Sequence, residues 1–529
     1  THHQFLNNTH TRIHPENSVV GNIKESDGTI VSKENRKVKL GDTLEMSVGQ
    51  YSEFLPIVVD VVDDKKTLHE VLPFVSPDAV GTINNLVIPL AFNDQTNRKT
   101  EENMELIYKM LGNIIDEKGN VVKYSPNIEG VYSLSEYYKI ASYNKIQINS
   151  FVTDWYDLDI SFENNKGKSL ESYEGLDEKI IEWVLEYYPN LNMSLFDKDG
   201  NALFDPIIFV NTADMYGEEG YYRTGFAGAY RLMKEYTDKY TNTLEKPGIN
   251  TYININLGFF FDDQIVNEEM KGLNNKTLIH EYGHVFGLVD YYDTIGSLKP
   301  LGGYDMQDAN LGDWNPFSKY CVGWITPNVI TEEVFNGSTS IDVKIESFTE
   351  TGGVLLIPAI SHDYNGTPFD EYIMLELFTP TGLNKYDSID YGINETIGVK
   401  MYHVNAAYEK RVLTGKTGEN HEIGTIHFAN STGQNSEKGY FLIEVIQADK
   451  VNTLTSKNSF GNQIEDNDFF KQGDIFKMEE YKEFFLLRVL KVLLQVLLFV
   501  LHHLIKLLHF VLVSYNQVQH LLVFSFLGR

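Results

Sequence analysis

Short apolar runs alternate with stretches of helical periodicity between residues 83 and 330. Apolar runs bounded by turn residues are typical of buried strands, whereas apolar residues at three- and four-residue steps are typical of helices. This pattern predicts strands near residues 86–92, 145–153, 207–211 and 251–258, and helices near residues 100–115, 133–143 and 174–187. The alternation of strands and helices predicts an α/β fold for this part of the chain.

The pattern changes after about residue 330. Helical periodicity fades, and β-rich runs at residues 353–358, 371–378 and 397–404 are separated by Gly, Asn and Asp turns. We therefore expect a second, mostly β domain. The first 82 residues are polar at first and then contain short apolar runs, which indicates an N-terminal extension or a propeptide.

Four segments are thus predicted. An extension or propeptide covers residues 1–82, an α/β domain residues 83–330, a β-rich domain residues 331–483 and a Leu-rich tail residues 484–529. A length of 529 residues agrees with two or three domains. The chain begins at Thr1 without an initiator Met or an apolar leader, so we expect it to be processed or a fragment.

The tail differs in composition from the rest of the chain, with fifteen Leu and no Asp or Glu. Three interpretations are open. Residues 492–513 would be long enough to span a membrane if Lys506 were tolerated there. Leu residues at three- and four-residue steps from Leu486 to Leu508 also suit an interfacial or self-associating helix. The abrupt change in composition is typical of a shifted reading frame, which is the interpretation we favour.

Charge and cysteine content narrow the chemistry. The 74 acidic residues against 44 basic ones give a net charge of −30, which disfavours nucleic acids as partners. The single cysteine, Cys321, excludes an internal disulfide framework and a thiolate zinc cluster. A metal ion in this protein must therefore be bound by His, Asp or Glu.

The candidate chemistry lies in the segment from His280 to Asp290, His-Glu-Tyr-Gly-His-Val-Phe-Gly-Leu-Val-Asp. Residues four apart in a helix lie on one face, so His280 and His284 can present imidazoles to one metal ion with Glu281 beside it. A catalytic zinc ion needs three protein ligands and an open position for water, and Asp290 is the next polar residue at a suitable distance. Gly287 would let the chain turn back below the metal because it has no Cβ atom.

Other interpretations of the motif are open. The two histidines could be unrelated residues on a surface helix. The third ligand could instead be a Glu on a later helix, but no Glu follows the motif until Glu332, whose surroundings do not predict a helix. Asp290 is therefore the better candidate, and Asp293 is a weaker substitute. Asn274 or Asn275 is the expected N-cap of the motif helix.

The extended motif, together with Gly-Gly-Tyr-Asp-Met at residues 302–306, resembles the metzincin clan of zinc peptidases. Within that clan the closest resemblance is to the bacterial immune inhibitor A-like family. The residues that carry it are 280–293, 303–306 and 317–324, with further similarity at 135–138, 152–155, 371–376 and 398–404. The resemblance covers roughly residues 83–485.

This resemblance implies a metzincin-like catalytic domain, with a mixed sheet and an active-site helix, followed by a mostly β, sandwich-like domain. It also implies that Met306 occupies the Met-turn, where a methionine forms an apolar floor beneath the metal. Members of the resembled family are exported endopeptidases, so we expect the protein to be secreted or attached to the cell surface.

The chain departs from the clan at two positions. Asp290 stands where many metzincins have a third His, although Asp is usual in the resembled family. The Tyr found two residues beyond the Met in some relatives is absent, since Asp308 occupies that position. The residue that stabilises the oxyanion is therefore open, with Tyr291, Tyr292 and Tyr304 as candidates.

A second metal site is predicted upstream. Asp197, Asp199, Asn201 and Asp205 are spaced like positions one, three, five and nine of a calcium loop. The Gly of position six and the Glu of position twelve are missing. An Asx-rich turn before the strand at residues 207–211 is the alternative.

These features predict a zinc endopeptidase that acts on protein or peptide substrates. Zinc would be bound by His280, His284 and Asp290, and Glu281 would act as the general base. Calcium is the second expected cofactor, and we expect a monomer. Two alternatives remain: a catalytically inactive, surface-associated binding protein that retains the peptidase fold, and a structural zinc module with a fourth side-chain ligand.

Overall fold

Six short strands at the start of the chain form an antiparallel sheet in the order β2-β1-β6-β5-β3-β4. They are β1 (His3–Leu6), β2 (His10–Arg12), β3 (Val19–Lys24), β4 (Ile30–Ser32), β5 (Thr43–Val48) and β6 (Tyr51–Val59). The computed structural model describes these strands and residues 67–477, with gaps at 73–75, 126–129, 166–167, 169–174, 215, 218–219, 222–226, 232–242, 250, 263–271, 294–297, 332–333, 335–340, 360–363, 407, 415–419, 427–429, 431–440 and 456–462.

A mixed sheet of eight strands follows. Its members are β7 (Gly81–Phe92), β8 (Asn113–Ile115), β9 (Val121–Tyr124), β10 (Ile146–Val152), β11 (Tyr156–Leu158), β12 (Ile207–Asn211), β15 (Gly228–Arg231) and β16 (Thr251–Asn256). Short hairpins are formed by β13 (Tyr216–Gly217) with β14 (Gly220–Tyr221), and by β17 (Phe261–Asp262) with β18 (Gly272–Leu273). The strand order is β15-β16-β12-β7-β10-β8-β9, and β11 also pairs with β7.

The centre of this sheet is parallel and its edges are antiparallel. Strands β16, β12, β7 and β10 run parallel, with Ile207 opposite Leu86 and Ile146 opposite Gly81. At the two ends, β15 pairs antiparallel with β16, and β9 pairs antiparallel with β8. Parallel strands are buried on both faces, which explains why β7 and β12 read as continuous apolar runs.

Side chains of successive strand residues enter two different hydrophobic clusters. Ile207 and Phe209 pack with Leu86 on one face, whereas Ile208 and Val210 pack on the other. Helices cover both faces: α4 contributes to the first cluster, and α2, α3 and α5 contribute to the second. The helices of this region are α1 (Leu68–Val71), α2 (Glu101–Leu111), α3 (Leu134–Ala141), α4 (Leu176–Tyr187), α5 (Lys276–Val285) and α6 (Pro316–Cys321).

The predicted helix at 100–115 is too long by four residues at its C-terminal end. Helix α2 begins after Thr100, whose side chain accepts a hydrogen bond from the Asn103 amide, and it ends at Leu111. Gly112 has φ of +91°, a conformation that ends the helix, and residues 113–115 form strand β8. The other predicted strands and helices of this region agree with the structure to within a few residues.

A second sheet is formed downstream by β19 (Asn328–Val329), β20 (Val354–Pro358), β21 (Glu371–Phe378), β22 (Gly398–Asn405) and β25 (Ile443–Ile446), in that order. We call these five strands the C-terminal sheet. Its pairs are antiparallel apart from β19 with β20. Two short helices, α7 (Phe348–Thr351) and α8 (Asp387–Asp390), and the hairpin of β23 (Tyr408–Thr414) with β24 (Asn420–Ile426) accompany it.

The hydrophobic core is continuous between the two sheets. One cluster contains Leu278 and Met306 from the first region together with Leu356, Tyr372 and Tyr402 from the C-terminal sheet. The fold is therefore mixed α/β, as predicted. The domain boundaries at residues 82, 330 and 483 stay predictions.

The predicted tail, residues 484–529, lies outside the described residues. In the part of the chain that the structure describes, no helix combines the length and the apolar character needed to cross a membrane.

The central strand β7 provides a test of this packing. Leu86 is fully buried, so Leu86→Ala should lower the free energy of unfolding by about 2–5 kcal/mol, because it leaves a cavity between strand and helix. Val122 on edge strand β9 is 64% exposed, and Val122→Ala should change the free energy by less than about 0.5 kcal/mol. Urea titration of both variants checks this, and equal effects would contradict the assignment of β7 to the sheet centre.

Candidate metal centre

Helix α5 carries the motif, and its start is fixed by two asparagines. Asn275 is the N-cap residue. The hydrogen bond from the first turn, however, is accepted by the side chain of Asn274, whose Oδ1 lies 2.8 Å from the Lys276 amide nitrogen. The Asn275 side chain instead donates to the carbonyl oxygens of Met110 and Tyr132, at 2.8 and 3.0 Å. The predicted start of the helix is thus confirmed, with the two roles divided between neighbours.

Two tyrosine hydroxyls attach α5 to the rest of the core. Tyr138 of α3 donates to the Ile279 carbonyl at 2.6 Å, and Tyr282 of α5 donates to Asn85 Oδ1 on strand β7, also at 2.6 Å. All these groups are buried. The helix is therefore fixed in rotation, and the face that carries His280 is turned away from the sheet.

The two histidines have the same internal hydrogen-bond pattern. His280 Nδ1 lies 2.8 Å from the Met306 carbonyl oxygen, and His284 Nδ1 lies 2.8 Å from the Leu288 carbonyl oxygen. A carbonyl can only accept, so each Nδ1 carries the proton and donates it. In a neutral imidazole this leaves the Nε2 lone pair free, which is the usual state of a metal-binding histidine.

Asp290 is brought to these nitrogens by the turn that ends the helix. Gly287 has φ of +93°, and its amide donates to the His284 carbonyl at 3.0 Å. Asp290 Oδ1 then lies 3.0 Å from His280 Nε2 and 3.3 Å from His284 Nε2. The structure thus brings together the three predicted ligands, and all three ligand atoms lie within 4.8 Å of one another.

The donor set fits a zinc ion. Ligand atoms at about 2.0–2.2 Å from one tetrahedral zinc are about 3.3 Å apart, close to the N···O distances seen here. The lone pairs of the two Nε2 atoms and of Asp290 Oδ1 would repel one another at these distances unless a proton or a cation lay between them. Burial raises the pKa of Asp290, but the imidazoles of His280 and His284 lower it by more, so that the pKa is held well below its usual range.

Glu281 lies beside the three ligand atoms without belonging to them. Its Oε2 is 4.0 Å from His284 Nε2, and the backbone amide of Ala229 on edge strand β15 donates to its carboxylate. Burial raises the pKa of Glu281, which the neighbouring His284 and His280 partly offset. A carboxylate with raised basicity next to a metal-bound water is suited to proton transfer.

Met306 lies in a buried turn, and the contact that joins it to the ligands is made by its backbone. Its side chain is 2% exposed, and its carbonyl oxygen accepts the His280 Nδ1 proton. The predicted apolar floor beneath the metal stays a prediction, and this hydrogen bond was not predicted. Asp293, the weaker substitute for the third ligand, is outside the ligand set among the described residues.

The three candidate tyrosines differ in position. The Tyr291 hydroxyl bonds Ser318 Oγ at 2.7 Å, and the Tyr304 hydroxyl donates to the Asn384 carbonyl at 3.1 Å, so both are committed to the core. Tyr292 is 36% exposed, its ring stacks near His280 at 6.4 Å, and its hydroxyl hydrogen-bonds Asp290. Of the three, Tyr292 alone has its hydroxyl beside the ligands.

Sequence reasoning missed Gln307, which packs directly against the motif helix. A Cβ atom on Gly283 would lie 2.8 Å from Gln307 Cδ, closer than carbon atoms approach. Gln307 is fully buried next to Met306. The signal that could have indicated this contact was the glycine inside a helix, at the third position between the two histidines.

A small cavity of about 30 Å³ lies beside the start of α5. It reaches Met306 and Ile279, and an ion pair between Lys276 and Asp387, 2.6 Å apart, lies at its wall. The lining is mostly apolar, and includes Val131, Tyr132, Leu273 and Leu383. The cavity thus has room for little more than a water-sized group.

The residues predicted to bind calcium lie in one loop. Oxygen atoms of their side chains accept hydrogen bonds from backbone amides of that loop. Asp197 accepts from the amides of Asn201 and Ala202 at 3.0 and 2.8 Å, and Asp205 accepts from the Lys198 amide. Burial raises the pKa of Asp205 to about 7. This arrangement has the hydrogen bonds of an Asx-rich turn, and calcium stays a prediction.

No protein-family model matches the chain, and no curated protein is significantly similar to it.

The contact between Gly283 and Gln307 can be tested by a double-mutant cycle. Gly283→Ala should lower the free energy of unfolding by about 1–3 kcal/mol, because the added methyl group overlaps Gln307. In a Gln307→Ala background the overlap is gone, and the same change should raise the free energy by up to about 1 kcal/mol through helix propensity. An identical effect of Gly283→Ala in both backgrounds, measured by urea unfolding, would contradict the contact.

Proposed function

We propose that the protein is a zinc-dependent endopeptidase with a metzincin-like catalytic domain, similar to the immune inhibitor A-like family. The observation that carries the proposal is the convergence of His280 Nε2, His284 Nε2 and Asp290 Oδ1 beside the Glu281 carboxylate. Members of the resembled family are exported, so we extend the proposal to an extracellular or surface-attached protein that acts on proteins or peptides.

His280, His284 and Asp290 would hold the ion. A zinc ion bound there supplies Lewis acidity towards a water molecule and the scissile carbonyl group. Glu281 takes the proton from that water and passes it to the leaving amine. The Ala229 amide keeps the Glu281 carboxylate in place for this transfer. Tyr292, with its hydroxyl beside the ligands, is assigned to stabilising negative charge on the carbonyl oxygen.

An open ligand position favours a catalytic ion over a structural one. A structural zinc site closes its fourth position with another protein side chain. Within the described ranges, only three His, Cys, Asp or Glu residues approach one another as a ligand set. Among these residues none takes the position next to Glu281, which we assign to water and substrate.

The edge of the eight-stranded sheet supports the binding of an extended peptide. Strand β15 is the last strand on its side of the sheet in the described part of the chain, and it packs against α5. An edge strand can pair with an extended segment through its backbone groups. A peptide bound along β15 would pass Glu281, whose carboxylate lies beside the Ala229 amide of that strand.

Glu281→Gln tests the general base. The variant should bind zinc as the parent protein does, because Glu281 is not a ligand, while cleavage of casein should fall by about 100-fold or more. Glu186→Gln, at an exposed position of α4 on the other face of the sheet, should cleave like the parent. Zinc content by atomic absorption and casein hydrolysis check both variants. Unchanged cleavage by Glu281→Gln would refute the proposed reaction. If the protein is instead an inactive binding protein, the parent will not cleave casein either.

Asp290→Asn tests the third ligand. Losing the carboxylate should weaken zinc binding by about tenfold or more. At a zinc concentration 1,000 times the parent's Kd, the stabilisation by zinc should fall from about 4 kcal/mol to about 2.7 kcal/mol or less. Asp293→Asn is the matched control and should retain the zinc affinity of the parent. Chelator competition and thermal unfolding with and without zinc provide the measurements. If Asp293→Asn lost zinc and Asp290→Asn did not, the ligand assignment would be wrong.

A further inference from the structure

The segment leading to Met306 is hydrogen-bonded to the downstream part of the chain at nearly every residue. Three of these hydrogen bonds join backbone groups: Lys299 N donates to Leu454 O at 3.0 Å, Val445 N to Pro300 O at 2.8 Å, and Ile464 N to Gly302 O at 3.0 Å. Two come from side chains: the Tyr391 hydroxyl donates to Gly303 O at 2.7 Å, and Lys400 Nζ donates to Tyr304 O at 3.3 Å. All five partners lie beyond residue 390. The turn that contains Met306 is therefore built against the C-terminal sheet and the loops around it.

Lys400 of strand β22 is the contact that brings a charge to this turn. It is 2% exposed, and four acidic residues are buried around it: Glu376, Asp305, Asp308 and Asp468. Burial raises the pKa of Asp305 and of Glu376 to about 7, and the Lys400 ammonium opposes this shift. Removing the Lys400 ammonium would leave the surrounding carboxylates buried without an opposite charge, which strongly destabilises this region.

Asp305 interacts electrostatically with Lys400 and accepts hydrogen bonds from residues that follow Met306. Its Oδ1 accepts the Gln307 amide at 2.7 Å, and its Oδ2 accepts the Asn315 amide and side chain at 2.7 and 2.9 Å. These hydrogen bonds fix the direction of the Met306 carbonyl, which accepts the His280 Nδ1 proton at 2.8 Å. Groups that orient a ligand histidine in this way affect metal affinity without touching the metal.

We infer that Lys400 and Tyr391 are positioning residues of the metal centre: from the C-terminal region they fix the turn of residues 303–308, and the Met306 carbonyl then orients the His280 imidazole. The inference rests on the proposed function, since it assigns these residues a role towards a zinc ion at His280. It makes the β-rich region a part of the metal centre, and not an appended binding module.

Two variants of the full-length protein test the inference. Lys400→Met keeps the apolar stem of the side chain but removes the charge, and it should weaken zinc binding by about tenfold or more. Tyr391→Phe removes the hydroxyl that donates to Gly303 and also hydrogen-bonds Gln463, and it should weaken zinc binding by about threefold. Both should also change the visible spectrum of the cobalt-substituted protein, because the His280 ring is reoriented relative to the ion.

Lys319→Met is the matched control. Lys319 is the other fully buried lysine among the described residues, with Asp313 at 2.6 Å and the Tyr143 hydroxyl at 3.0 Å as partners. Its loss should destabilise the protein to a similar extent as the loss of Lys400, because each variant leaves a buried carboxylate without its cation. Its hydrogen bonds do not reach residues 303–308, and its charge interacts mainly with Asp313 and less with Glu376 and Asp305. Zinc affinity and the cobalt spectrum should therefore stay close to those of the parent.

Zinc affinity by chelator competition and amide hydrogen exchange of residues 303–308 without metal decide the outcome. Weaker zinc binding and faster exchange in Lys400→Met and Tyr391→Phe, but not in Lys319→Met, support the inference. Parent-like affinity in both variants, or an equal loss in the control, overturns it. If Lys400→Met does not fold, Tyr391→Phe decides alone. A parent protein that binds no zinc refutes the proposed function, while the exchange rates still report whether Lys400 and Tyr391 fix the turn.

Discussion

The candidate site depends on two hydrogen bonds from imidazole Nδ1 atoms to backbone carbonyls. One is local, from His284 to Leu288, four residues later in the turn after α5. The other spans 26 residues, from His280 to Met306. Together they fix the tautomer and the ring orientation of both histidines, and so direct the Nε2 atoms towards Asp290. Everything that fixes the two carbonyls therefore also shapes the ligand set.

The two carbonyls are fixed in different ways. Leu288 follows Gly287, whose positive φ turns the chain directly after the helix, so this part of the site forms within about ten residues of sequence. Met306 belongs to a buried turn with Asp305 and Asp308, and the carboxylates of both residues accept amides of the same turn. Burying these acidic groups is costly unless they are hydrogen-bonded and compensated, and the buried Lys400 ammonium lies among them. The hydrogen bond from His284 to Leu288 therefore follows from the local sequence motif, whereas the one from His280 to Met306 depends on tertiary contacts.

This difference explains what could be predicted from the sequence. The strand at 207–211 was predicted with its exact bounds because a continuous apolar run identifies a buried parallel strand. The proximity of His280, His284 and Asp290 could be predicted because helix geometry and one glycine turn determine their relative positions. Gln307 and Lys400 were missed because their partners are distant in sequence, and the tyrosines at 291, 292 and 304 could not be ranked until the direction of each hydroxyl was known. The end of α2 was mispredicted because Gly112 outweighs the apolar pattern that continues to residue 115.

The central claim is that one ion is bound by these three side chains with a fourth position left open. Anomalous diffraction at the zinc edge, from crystals of the zinc-loaded protein, tests this most directly. The account predicts a single peak at about 2.0–2.2 Å from His280 Nε2, His284 Nε2 and an Asp290 oxygen, with no other side chain bound to it. An ion bound through Nδ1, a fourth side-chain ligand, or no peak at these residues would contradict it.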